Sequence, residues 1–147
     1  MNKEQASVDP HPELKNIAWS ASPWDLDSLA FLDEYDIPFI KVPSAMLTNW
    51  QLLRACVATR KQVIFSTGMS TEGEIEHAVN VLRLAKQDFD NPHPIGLLHC
   101  NSTYPAPFKD VNLRYINKLK ALGDCNVGYS SHERGYSAVL AAVGMGA

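Results

Sequence analysis

Short apolar runs alternate with longer amphipathic segments along the chain. The runs read IAWSA (from Ile17), PFIKV (from Pro38), QVIFS (from Gln62), IGLLH (from Ile95) and NVGYS (from Asn126). Each has the length and apolar character of a strand in a parallel sheet covered on both faces. Helical periodicity fills the intervals. In DLDSLAFLDEYD, Leu26, Leu29, Phe31 and Leu32 form an apolar stripe opposite carboxylates. TNWQLLRACVATRK opens on Thr48, a good N-cap, and closes on Arg60 and Lys61, cations suited to a helix C-terminus. STEGEIEHAVNVLRLAKQ carries the capping-box pair Thr71 and Glu74 ahead of Ile75, Val79 and Leu82. DVNLRYINKLKALG ends at Gly123, a natural helix stop, and YSAVLAAVGMGA is apolar nearly all round, which predicts a buried helix.

Five strand–helix units in succession predict an α/β fold with a parallel sheet and right-handed crossovers. Periodicity leaves two architectures open, a doubly wound sheet and part of an eight-stranded βα barrel. Neither G-x-G-x-x-G after the first strand nor GxxxxGK[ST] anywhere occurs, so the familiar nucleotide signatures of open sheets are missing. The first 16 residues form a polar segment, and residues 17–147 carry the βα pattern as one domain.

Composition narrows the picture only at the margins. With 147 residues, 46% hydrophobic and 20% charged, the chain can bury a real core. A net charge of −3 gives no basic surface for nucleic acid or anionic lipid. No apolar run approaches the length of a membrane helix, and the N-terminus lacks a signal-peptide apolar segment. Three cysteines without CxxC spacing argue against a disulfide framework or zinc knuckle and fit a cytoplasmic location.

The informative residues follow the strands. They are Ser20 and Ser22 after the first run, Lys41 and Ser44 at the second, and Ser66 and Thr67 at the third. The fourth contributes His99, Asn101, Ser102 and Tyr104, and the fifth Ser130, Ser131 and His132. In parallel α/β architectures these positions share one rim, where ligands bind. Hydroxyl donors and a lysine converging there suit a phosphate or carboxylate. Individually the serines also read as turn residues and caps. His99 reads equally as a packed histidine, and His132 equally as a polar loop residue. Lys41 stands out because it lies inside an apolar run, where lysine is rarely buried unpaired.

With those residues in hand, the chain resembles the sialic acid synthase family, the N-acetylneuraminate synthase-like enzymes, including legionaminate- and pseudaminate-type synthases. The resemblance rests on SPWDLDSLAFLDEYDIPFIKVPS, VIFSTGMSTEGEIEHAV, LLHCNSTYPAPFKDVNLRYI and VGYSSHERGYSAVLAAVGMGA. It implies an incomplete TIM (β/α)8 barrel corresponding to about strands three to seven. It also implies metal-dependent condensation of phosphoenolpyruvate with an N-acyl-mannosamine-type sugar, with Mn²⁺ or Mg²⁺ as cofactor and a dimer as the full-length assembly. Ser22, Lys41, Ser44, Ser66 and Ser130 fall around the phosphoenolpyruvate phosphate and carboxylate. Ser102 and Tyr104 fall near the substrates, with Tyr104 and His132 as catalytic positions and His132 as a metal ligand. His99 matches no ligand position.

The chain departs from the family pattern at several points. A strand-four S-G-E motif reads Ser44-Ala45-Met46 here, the aspartate before the metal histidine is Ser131, and an asparagine near the substrates is Ser102. The family's first two strands, its eighth strand with a second histidine, and its antifreeze-like domain have no counterpart in these 147 residues. The expectation is therefore a synthase sector with little or no activity by itself, its exposed sheet edges covered by dimerisation or a complementing segment. Two other readings stay open. One is a βα-barrel lyase or aldolase acting on a phosphorylated substrate, which borohydride trapping on Lys41 would reveal. The other is a non-catalytic phosphate-binding module, which would bind phosphoenolpyruvate without metal dependence.

Overall fold

The computed structural model describes residues 18–123 and 125–147, so the polar segment 1–16 and Ile17 lie outside the described residues. Among these residues four strands form one sheet: β1 (Phe39–Val42), β2 (Gln62–Ser66), β3 (Ile95–Cys100) and β4 (Cys125–Ser130). All neighbours pair parallel, and their spatial order is the chain order. Among the described residues five α-helices accompany them: α1 (Leu26–Asp33), α2 (Trp50–Ala58), α3 (Glu72–Asp88), α4 (Tyr115–Ala121) and α5 (Ser137–Gly144).

Strand order decides between the two architectures. A doubly wound sheet must reverse direction so that helices land on both faces, whereas successive right-handed crossovers in one direction put every crossover helix on the same face. Burial agrees with the single-sided arrangement. Ile40, Val42, Val63, Phe65 and Leu97 are 0–4% exposed beneath the helices. On the opposite face Lys41, Ile64 and Leu98 are only half buried. The sheet is thus a barrel-wall segment with a helix-covered convex face and an open concave face.

Helix caps match the local chemistry with one change. Thr71 caps α3 in a full capping box with Glu74. For α2 the cap is Asn49, not Thr48: the Asn49 side chain accepts from the Leu52 N–H at 3.1 Å. The segment expected to be helical from Asp110 first makes a 3-10 turn, Phe108–Asp110, and becomes α-helical only at Tyr115. Asn112, at φ 48°, interrupts the helical backbone between them. Gly123, at φ 68°, ends the helical segment as expected. The Arg83 guanidinium donates to the Leu122 and Gly123 carbonyls at 2.5 and 2.7 Å, supplying the α4 C-terminus with a cation.

Two expectations fail. Residues 18–24 form no strand. Instead the Ser20 hydroxyl donates to the Phe39 carbonyl at 2.5 Å, so a side chain occupies the β1 edge where a backbone ladder was expected. Helix α5 is not buried: Ala138 and Ala142 face inward, but Leu140 and Val143 are 69% and 63% exposed. Its apolar sequence equips it for burial on several sides, yet its small-residue face alone is covered. No helix among the described residues is long and apolar enough to cross a membrane.

Candidate functional site

Register converts separate strand ends into one surface. Lys41 pairs with Ile64, Ile64 with Gly96, Ser66 with Leu98, Leu98 with Gly128, and Cys100 with Ser130. Since neighbours in register share a face and side chains alternate along each strand, Lys41, Ser66, Cys100 and Ser130 all belong to the concave face. A one-residue slip in any pairing would turn its residues into the helical layer. Above this face lies a cleft of about 260 Å³ lined by Trp24, Lys41, Ser44, Ser66, Cys100, Ser102 and His132.

Its polar groups are unsatisfied in a consistent way. Lys41 is half buried and pairs with no carboxylate among the described residues. Burial pushes its ammonium below the ordinary lysine range, opposed by the nearby Cys100 thiol. Ser66 is 1% exposed, and its hydroxyl has no hydrogen-bond partner. A buried donor left unpaired costs about 1–3 kcal/mol, so it calls for a partner from outside the chain. Ser44 accepts from the Gly68 N–H at 3.1 Å, which leaves its own O–H to donate. Gly68 makes this convergence possible. A Cβ there would lie 2.3 Å from Ser102 Oγ, 2.9 Å from Ser44 Oγ and 3.0 Å from the Cys100 carbonyl oxygen.

His132 enters from the β4–α5 loop. Its ring nitrogens lie 3.9 and 4.0 Å from Cys100 Sγ, and the Tyr104 ring meets it edge-on at 5.3 Å between centroids. Its carbonyl accepts from the Ala106 N–H at 3.0 Å, tying the loop to the segment after β3. Among the described residues no group of three His, Cys, Asp or Glu side chains is placed to hold a metal ion. The described residues thus offer one imidazole and do not by themselves make a metal site.

The remaining expected residues are more scattered. Ser22 is half buried, and Ser130 ends β4 opposite Cys100; neither is a lining residue of the cleft. Tyr104 is 83% exposed at the cleft's margin beside His132. His99 is a packed residue: its Nε2 lies 2.7 Å from the Val111 carbonyl, and Tyr115 and Tyr129 flank its ring. Three residues that strand-end reasoning passed over matter here. Gly68 carries a steric role, Cys100 forms the floor between Lys41 and His132, and Glu133 is 8% exposed although it looks like a surface charge. Glu133 accepts from the Tyr129 hydroxyl at 2.7 Å and the His132 N–H at 3.1 Å. Burial pushes the Tyr129 phenol above its ordinary range, and the hydrogen bond to Glu133 adds to the shift.

A larger cleft of about 350 Å³ lies alongside, between the loops after β2 and β3. Several of its polar groups are satisfied within the chain. Thr67 donates to Leu98, Ser70 to Gly68 and Asn101 to Asp110, each at a backbone carbonyl. The smaller cleft instead holds a lysine with no carboxylate partner among the described residues and an orphan hydroxyl.

A single-sided parallel sheet whose C-terminal strand ends carry a cleft lined by a lysine, serines and a histidine defines a barrel-type α/β protein with its candidate site at the usual rim. The chain belongs to the NeuB family, which it matches over residues 2–147. It is 43% identical over 137 residues to the N,N'-diacetyllegionaminic acid synthase of Campylobacter jejuni, covering 93% of this chain and 40% of that protein. It is 35% identical to the N-acetylneuraminate-9-phosphate synthase of Drosophila melanogaster, covering 93% of this chain and 36% of that protein. Among solved structures it resembles the N-acetylneuraminic acid (sialic acid) synthetase of Leptospira borgpetersenii in complex with citrate. The TM-score is 0.83 at 36% identity, over 92% of this chain and 45% of that one. The chain therefore spans less than half the length of these relatives and forms part of their barrel.

Proposed function

We propose that this chain forms the phosphoenolpyruvate-binding sector of a nonulosonic-acid synthase. The reaction condenses phosphoenolpyruvate with an N-acyl-mannosamine-type sugar to give a sialic-acid-type 2-keto acid. The observation that carries the reading is that a lysine without a carboxylate partner among the described residues shares one cleft with an orphan buried hydroxyl. Lys41 neutralises charge on the phosphate or carboxylate, and Ser44, Ser66 and Ser102 donate to the remaining oxygens. Fixing the substrate this way aligns its C3 for attack on the open-chain aldehyde of the sugar. Water then adds at C2, and phosphate leaves by cleavage of the C–O bond. Tyr104 and His132 border the face from which the sugar would approach.

His132 is proposed as one imidazole ligand for Mn²⁺ or Mg²⁺, an ion that would polarise the sugar's aldehyde oxygen when bound. Because the described residues supply one such donor, the work assigned to this chain is binding, orientation and charge neutralisation. A cytoplasmic location fits the three free thiols.

Replacing the orphan hydroxyl tests the reading without disturbing the fold. Ser66→Ala is expected to weaken phosphoenolpyruvate binding, measured calorimetrically, about fivefold to tenfold. Its unfolding free energy should stay level or rise by up to about 1 kcal/mol, because an unpaired buried group has been removed. Unchanged affinity would contradict the assignment.

A further inference from the structure

Glu133 is a buried carboxyl group with no ion-pair partner among the described residues. It is 8% exposed, makes no ion pair among the described residues and lines neither cleft. One carboxylate oxygen, Oε2, accepts both the Tyr129 hydroxyl and the His132 N–H, while Oε1 has no hydrogen-bond partner. Two donors on one oxygen define a bracket. It joins the end of β4 to the backbone of His132.

The bracket continues on both sides. Tyr129 pairs in register with His99, and their rings stack at 5.8 Å with an interplanar angle of 30°. His99 in turn lies 2.7 Å from the Val111 carbonyl. On the other side, the His132 carbonyl is held by the Ala106 N–H at 3.0 Å. The His132 peptide is therefore gripped at its N–H by Glu133 and at its C=O by the loop after β3. Its ring is left beside Cys100 and Tyr104 at the cleft. A run of contacts on the convex side of the sheet, through buried His99 and half-buried Tyr129, thus ends at a side chain presented on the concave side.

We propose that Glu133 is a positioning residue that, bonded to Tyr129, aims His132 into the anion cleft. The inference rests on the reading of His132 as part of the ligand-binding rim. Glu133 touches no ligand in this scheme. It acts through two hydrogen bonds accepted by a single oxygen, which a glutamine carbonyl can reproduce and an alanine cannot.

The test uses the 147-residue chain labelled with ¹⁵N-histidine, the His132 ring signal being assigned by its loss in His132→Gln. Glu133→Ala should shift or broaden that ring signal and raise the dissociation constant for phosphoenolpyruvate about fivefold to tenfold. Glu133→Gln should keep the wild-type signal and an affinity within about twofold of wild type. Tyr129→Phe, which removes one of the two donors, should shift the ring signal in the same direction by less. Wild-type ring signals and affinity in Glu133→Ala would overturn the proposal, as would equal losses in Glu133→Gln and Glu133→Ala. If Glu133→Ala fails to fold, the contrast between Glu133→Gln and Tyr129→Phe decides. Should phosphoenolpyruvate bind none of the proteins, wild type included, the functional reading of the rim fails, and the ring signals alone judge the bracket.

Discussion

Lys41→Met is expected to weaken phosphoenolpyruvate binding by about 30-fold, about 2 kcal/mol, because it removes a cation that donates to an anionic ligand. The same substitution should stabilise the free protein. Lys41 sits half buried without a counter-ion among the described residues, and burial holds its ammonium below the ordinary value of 10.5. The folded chain therefore binds a proton on Lys41 less readily than the unfolded chain does. Wild-type stability consequently drops as pH falls from above 10.5 through the lower folded value, and the penalty stays in full at neutral pH. Methionine keeps the packing of the stem and has no charge to desolvate. The stability advantage of Lys41→Met should be largest near neutrality and close as pH rises past 10.5. Urea unfolding at neutral and alkaline pH measures it. A variant that is less stable at neutral pH, or that binds phosphoenolpyruvate normally, contradicts this account of Lys41.

Gly68→Ala should damage the site more than any other single methyl group. The new Cβ would stand 2.3 Å from Ser102 Oγ, 2.9 Å from Ser44 Oγ and 3.0 Å from a backbone oxygen of Cys100. Ser102 is exposed and can rotate away, but the Cys100 carbonyl belongs to β3 and cannot move without the sheet. Overpacking of this kind costs about 1–3 kcal/mol of stability. The Ser44 hydroxyl that bonds to Gly68 must shift too, so phosphoenolpyruvate affinity should fall at least about tenfold. The double variant with Ser102→Ala separates the two effects. It removes the closest clash, so it should recover part of the stability and none of the affinity. Full recovery of binding would mean that Ser44 is not a ligand-facing donor.

Much of this architecture is legible in the residues, for identifiable reasons. The PFIKV, QVIFS, IGLLH and NVGYS runs become strands because each lies between helices with clear periodicity and pairs with its chain neighbour. IAWSA has a similar apolar content but sends the Ser20 hydroxyl, rather than a backbone ladder, to β1. Composition there does not reveal whether a strand partner is available. The same limit explains α5, whose apolar faces state a capacity for burial without supplying a surface to bury against. At α2 two adjacent residues could each cap, and only backbone geometry selects Asn49 over Thr48.

The candidate site divides in the same way. Strand-end reasoning names Lys41, Ser44, Ser66, Ser102 and His132, and register gathers them above one face. It does not distinguish Ser66, unpaired and buried, from Thr67 next to it, whose hydroxyl is already bonded to Leu98. Glu133 is hidden for a different reason. Its burial depends on a tyrosine four residues earlier turning its hydroxyl back across the loop, a contact that residue types do not announce.

The most direct test of the central claim is an amide-by-amide chemical-shift titration of the chain with phosphoenolpyruvate. Saturable shifts are expected to concentrate at Lys41, Ser44, Ser66, Gly68 and Ser102, to be reversed by inorganic phosphate, and to need about 30-fold more phosphoenolpyruvate in Lys41→Met. Shifts confined to the larger neighbouring cleft around Ser70 and Asp110, or no saturable shift at all, would contradict it.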